Sequence, residues 1–100
     1  MYRMTILYGV PTDREHFRRY YLDTHVPLAR RMRGLTGWNL SWMDDESDYI
    51  LVAELYAQDK AAMDAILSSP EGAAAREDLE NFVTGGVTFL TGTEDEVALA

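Results

Sequence analysis

Tyr49-Ile50-Leu51-Val52-Ala53-Glu54-Leu55-Tyr56 is the stretch on which the fold turns. Its aliphatic, β-branched and aromatic residues read as a strand. Successive side chains of a strand point to opposite faces of the sheet. Here Leu51, Ala53 and Leu55 share one alternation, and Ile50, Val52, Glu54 and Tyr56 share the other. A face open to water would be polar. Both faces are therefore expected to be covered, one by the chain's own helices. The other is most simply covered by the same face of a second copy, which predicts a homodimer.

The neighbouring segments fit around this strand. Trp38-Asn39-Leu40-Ser41-Trp42-Met43 alternates as a second strand, joined to it by the polar loop Asp44-Asp45-Glu46-Ser47-Asp48. Met4 to Val10 reads as a strand with Met4, Ile6 and Tyr8 on one face, and Val87 to Leu90 as the last strand. Thr12-Asp13-Arg14-Glu15 matches a capping box that opens a helix. Asp59 can cap a helix over Lys60 to Leu67. Ser69-Pro70 places a cap before a proline at the first helical position, so a further helix runs to about Phe82. The tail from Glu94 to Ala100 is expected to fray. Strand, helix, strand, strand, helix, strand is the βαββαβ order of a ferredoxin-like α+β domain with a four-stranded antiparallel sheet. Residues 1–100 suit a single domain.

Bulk composition narrows the function. A formal net charge of −8 argues against nucleic acid and against an anionic membrane surface. No apolar run approaches the roughly 20 residues of a membrane span. The start of the chain has no signal-peptide anatomy, so a cytoplasmic location is the default expectation. There is no cysteine, which excludes disulfides and thiolate metal sites. With histidines only at 16 and 25, a classical zinc site is improbable. Neither a G-x-G-x-x-G nor a P-loop is present, and Gly85-Gly86 is too short to argue a phosphate cradle, so no nucleotide site is readable. No cofactor and no metal is expected.

Tyr20-Tyr21-Leu22-Asp23-Thr24-His25-Val26-Pro27-Leu28 holds the chemistry. Pro27 lacks an N–H and clashes with the carbonyl of Asp23. The first helix is therefore expected to stop or kink near Asp23, with Thr24 capping a short second helix. His25 would then lie in a first turn, where the positive end of the helix dipole keeps its imidazole neutral. Removing Pro27 would let the helix run on and swing the ring away. Two readings compete for His25, a core histidine satisfied by a carbonyl and a proton-transfer group, and the proline break brings them level.

Glu54, mid-strand among apolar residues, is the second acid/base candidate, since a buried carboxylate must be paired, bonded or protonated. An edge position or a salt bridge to arginine competes with that reading. Tyr8, Tyr20, Tyr21 and Tyr56 can donate hydrogen bonds into a pocket, or simply pack. Trp38 and Trp42 read as core or dimer contacts, and His16 as a solvated surface residue. The expected site is a pocket between helices and sheet, lined by Tyr21, His25 and Glu54, for a small hydrophobic organic ligand.

Phe17-x-x-Tyr20-Tyr21-x-x-x-His25-x-Pro27-Leu28, followed by Gly34, resembles the signature of the EthD family. Ser69-Pro70-Glu71-Gly72 and the group Asp78, Asn81 and Phe82 agree with it, so the resemblance runs from about Met4 to Leu90. It implies a dimeric α/β barrel of two ferredoxin-like halves. It also implies kinship with antibiotic-biosynthesis monooxygenases and polyketide cyclases, many of which work without metal or flavin. The implied activity is a cofactor-independent oxygenation, dehydration or cyclisation of a small hydrophobic substrate. The alternative is a non-enzymatic ligand-binding or accessory role in a degradation pathway. His25 carries over as the polar site residue, and Tyr21 and Asp78 as binding positions.

Overall fold

The computed structural model describes residues 1–100. Strand β1 spans Tyr2–Gly9, β2 Gly37–Trp42, β3 Tyr49–Ala57 and β4 Val87–Thr93. Helix α1 spans Arg14–Tyr20, α2 Val26–Ala29, α3 Lys60–Ser68 and α4 Pro70–Asp78. The strands form one antiparallel sheet in the order β2-β3-β1-β4, so the βαββαβ topology is ferredoxin-like. No helix is long and apolar enough to cross a membrane.

Register decides which side chains meet. Met4 pairs with Leu55 and Thr91, and Leu55 with Trp38, so these four form one row across the sheet. Ile6, Ala53, Phe89 and Leu40 form a parallel row on the same face. Residues one step along each strand, Thr5, Glu54, Leu90 and Asn39, make a row on the opposite face. The helices cover the first face. Tyr8, Phe17, Tyr21, Leu51 and Met63 are fully buried there. Tyr8 meets Phe17 and Tyr21 edge-on at 5.6 Å between ring centroids, the geometry aromatic quadrupoles favour.

Asp59 and Ser69 cap α3 and α4, accepting from the backbone N–H groups of Ala62 and Gly72. At α1 the cap is Asp13, which accepts from the His16 N–H at 3.0 Å. Thr12 is not the cap, its own N–H donating to Thr84 Oγ1, so Asp13 alone caps the helix and the expected capping box does not form. The last strand runs to Thr93, past the expected end at Leu90, because its edge continues to pair with β1 as far as Tyr2. Glu94 is also held, its N–H donating to the Met1 carbonyl at 2.8 Å.

The break expected near Asp23 does not occur. Residues Tyr21–His25 form a π-helical turn that continues α1 directly into α2, and Thr24 caps nothing. The Val26 N–H donates to the Tyr21 carbonyl, five residues back. Pro27 is the second residue of α2, and the chain passes it through this wider turn rather than through a break. The inserted residue also shifts the buried stripe: His25, Ala29 and Met32 are buried, while Leu28 is only half-buried.

Candidate active site

His25 is 5% exposed and sits at the end of the π turn. Its Nδ1 lies 2.9 Å from Asp78 Oδ2, at the end of α4. Asp78 accepts two more hydrogen bonds at Oδ1, from the Tyr20 hydroxyl at 2.7 Å and from Asn81 Nδ2 at 2.9 Å. Burial alone would push the Asp78 carboxyl up, but hydrogen bonds from Asn81, Tyr20 and His25 outweigh it and hold the group below the usual carboxylate range. Asp78 is therefore ionised, and an ionised carboxylate only accepts. That assigns the proton on Nδ1 of neutral His25 and leaves Nε2 with a free lone pair.

Burial holds the His25 imidazole below its ordinary value, while hydrogen bonding and charge from Asp78 oppose it. The expected neutrality thus has a different cause. The ring is mid-helix, away from any helix N-terminus, and desolvation replaces the dipole as the dominant effect.

His25 faces a cavity of about 410 Å³ between the helices and the sheet. Of its 16 lining residues, 12 are hydrophobic, so the space suits an apolar molecule with few polar groups. Met4, Ile6 and Leu55 supply its sheet wall, and Ala75 and Leu79 part of the α4 wall. Tyr8 and Tyr21 line it as expected. Burial pushes the Tyr21 phenol up to about 12, against hydrogen-bonding influences from Trp38 and Tyr8. Burial raises Tyr8 further still, helped by Tyr21.

Two expected site residues lie elsewhere. Glu54 and Tyr56 belong to the face of β3 turned away from the helices, because their parity is opposite to that of Leu55. There Glu54 Oε2 is 3.5 Å from Arg3 Nη1, and the Tyr56 hydroxyl donates to Glu94 Oε2 at 3.1 Å. Glu54 thus pairs with Arg3 on the face away from the cavity. Tyr20 and Asp78 do not line the cavity but stand behind His25.

Two lining residues were missed. Trp38, assigned to packing, shares the sheet row of Met4 and Leu55 and so reaches the cavity. Arg76 lines it as the one full cation and forms no ion pair. Its signal was the helical spacing Gly72, Ala75, Arg76, Leu79, which puts it beside the buried stripe of α4. No group of three or more His, Cys, Asp or Glu side chains gathers to hold a metal ion.

Fold and site together define a ferredoxin-like α+β domain with a largely apolar cavity between helices and sheet and a buried His–Asp pair at its wall. The EthD domain model matches residues 10–86, and the chain belongs to the EthD family. It is similar to an uncharacterized 11.0 kDa protein in the thcB–thcC intergenic region of Rhodococcus erythropolis, 37% identical over 97% of this chain and 98% of that one. An EthD family protein of Bacillus halodurans superposes with a TM-score of 0.87 at 28% identity, covering 95% of this chain and 99% of the other. SnoaB, a cofactor-independent oxygenase from Streptomyces nogalater, shares the fold at a TM-score of 0.71 and 17% identity, covering 96% and 94%.

Proposed function

We propose that the protein is an acid–base enzyme acting on a small, hydrophobic organic molecule held in the cavity. The observation that carries this is the neutral His25, oriented through Nδ1 by ionised Asp78 and lining an otherwise apolar space. Nε2 takes a proton from an acidic C–H or O–H of the bound molecule. The imidazolium so formed is stabilised by the adjacent Asp78 carboxylate. Tyr20 and Asn81 act as positioning residues, since they fix Asp78 rather than touch the ligand. Arg76 offers a cation to any acidic substituent of that ligand. The fold shared with a cofactor-independent oxygenase supports a reaction of this general kind without a bound helper group.

Hydrogen–deuterium exchange of 2-tetralone in D₂O, followed by proton NMR, tests the reading. This apolar ketone has an acidic α-carbon. The protein should accelerate exchange at that carbon, and His25→Ala should abolish the acceleration. Saturable binding of 2-tetralone with exchange no faster than buffer would assign the cavity to a binding or accessory role instead.

We further infer a homodimer through the sheet face that carries no helices. Leu7, Val52 and Leu90 lie on that face, and Leu90 is 50% exposed. Sedimentation equilibrium at micromolar concentration should give twice 11.4 kDa. A clean monomer would sink the pairing.

A further inference from the structure

The Tyr8 hydroxyl, the Tyr21 hydroxyl and the Trp38 indole N–H are all buried, and none has a hydrogen-bond partner. Tyr8 and Tyr21 are wholly buried as residues, and all three residues line the cavity. They arrive from three separate elements, β1, the π turn and β2. Hydrogen-bonding influences from Trp38 and Tyr8 oppose the burial that raises the Tyr21 phenol, so the three groups are neighbours, yet none has a hydrogen-bond partner.

A donor count shows why this cluster is incomplete. Indole N–H can only donate, and each phenol carries one proton. Small rotations could join Trp38 to Tyr21 and Tyr21 to Tyr8, but two contacts use two of three protons. One donor always remains. A buried donor without an acceptor is costly, and folded interiors keep few of them. In the structure none of the three donors meets an acceptor, so the surplus proton is open to an oxygen of a bound molecule.

We propose that Tyr21, flanked by Tyr8 and Trp38, binds the carbonyl oxygen of the cavity ligand, so that the substrate class is an apolar ketone or related carbonyl compound whose α-proton faces His25. This rests on the acid–base reading above and narrows its substrate. The Tyr21 and His25 rings are 5.1 Å apart between centroids, so one small molecule can meet both. When Nε2 removes the α-proton, the C–H electron pair forms the new C=C bond and the carbonyl π pair moves to oxygen as an enolate. The Tyr21 O–H donates a hydrogen bond to that oxygen and keeps its proton, since burial pushes the phenol up to about 12. Hydrogen bonds from Tyr8 and Trp38 onto the Tyr21 oxygen would strengthen that donation, because linked bonds polarise one another. The developing charge is thus met by fixed donors that are themselves buried.

The test compares 2-tetralone with 2-methylenetetralin, its isostere with C=CH₂ in place of C=O. The wild-type protein should bind the ketone roughly tenfold more tightly, the effect of one buried hydrogen bond. Tyr21→Phe should erase that preference and leave affinity for the hydrocarbon unchanged. The infrared carbonyl band of bound, ¹³C-labelled 2-tetralone should lie lower in the wild type than in Tyr21→Phe. Should Tyr21→Phe fail to fold, the double variant Tyr8→Phe/Trp38→Phe should shrink the preference and raise the carbonyl frequency. Equal affinities for the two compounds, or a preference and a band untouched by these substitutions, overturn the carbonyl site while leaving a hydrophobic pocket in place. Failure of both compounds to bind overturns the small-molecule reading itself, and the carbonyl site with it.

Discussion

Asp78 Oδ2 lies 2.9 Å from His25 Nδ1, a buried contact across 53 residues of sequence that ties the π turn to the end of α4. The pair fixes the histidine tautomer, and its surroundings set both protonation states.

Loss of His25 should stop proton transfer without unfolding the chain. We expect His25→Ala to reduce catalysed exchange of 2-tetralone by roughly 10²–10⁴-fold, the usual worth of one general base. Circular dichroism should still report a folded α+β protein, because the ring's neighbours Tyr21 and Phe82 stay packed against each other. Unfolding of the variant with ligand affinity retained in any folded fraction would make the ring structural.

Removal of the Asp78 charge should act through His25. Asp78→Asn keeps the shape but loses the interaction that raises imidazole basicity. The acid limb of the rate–pH profile should therefore move to lower pH, and the plateau should fall because the Nδ1–H tautomer is less firmly held. Tyr20→Phe deletes one of the three hydrogen bonds on Asp78 and should cost about 1 kcal/mol in urea unfolding. A plateau and limb unchanged in Asp78→Asn would detach the carboxylate from the chemistry.

Stability should fall in two acid steps. The folded value of His25 lies below its ordinary 6.5, so the unfolded chain binds a proton first as pH drops. The contribution of neutral His25 is whole above about pH 6.5 and declines below it, down to the folded value. Asp78, held below its ordinary 3.8, contributes fully above that pH and loses its share as pH falls further. Urea midpoints measured from pH 7.5 to 5 should decline in the wild type and decline less in His25→Ala. Identical slopes would refute the assignment.

Pro27→Ala should leave the site in place. Returning the π turn to an α-helix would rotate α2 and pull Ala29 and Met32, 2% and 8% exposed, out of the core. The gain is one backbone hydrogen bond, about 1 kcal/mol, against the burial of two apolar side chains, of which Met32 alone is worth roughly 1.5–3 kcal/mol. Stability should change by no more than about 1 kcal/mol, and exchange activity should persist. A collapse of activity with helicity retained would show that the proline itself sets the ring.

Glu54→Gln and Tyr56→Phe should leave catalysed exchange at the wild-type rate, since both side chains lie across the sheet from the cavity. Any effect should appear instead in the sedimentation behaviour of the proposed dimer. A tenfold loss of exchange in either variant would contradict that placement.

The sequence by itself determined the elements and their order. Strand parity in β3, the caps at Asp59 and Ser69, and the alternation of Trp38, Leu40 and Trp42 are local signals written in consecutive residues, and all appear in the structure. The family motif singled out His25, Tyr21 and Asp78 as residues of interest. Local patterns do not say which face of a sheet receives the helices, so Glu54 and Tyr56 seemed to join His25 although parity sets them on the far side. Nor do they give the outcome of a proline within a helical run. Two structures relieve the same clash, a break or a π turn, and the buried packing of Tyr21, His25 and Ala29 selects the second. Only the tertiary structure brought Asp78 to His25, gathered Tyr20 and Asn81 onto one carboxylate, and set the Tyr8, Tyr21 and Trp38 donors on a shared wall. Those relationships join residues tens of positions apart, and they exist only once helices and sheet have packed.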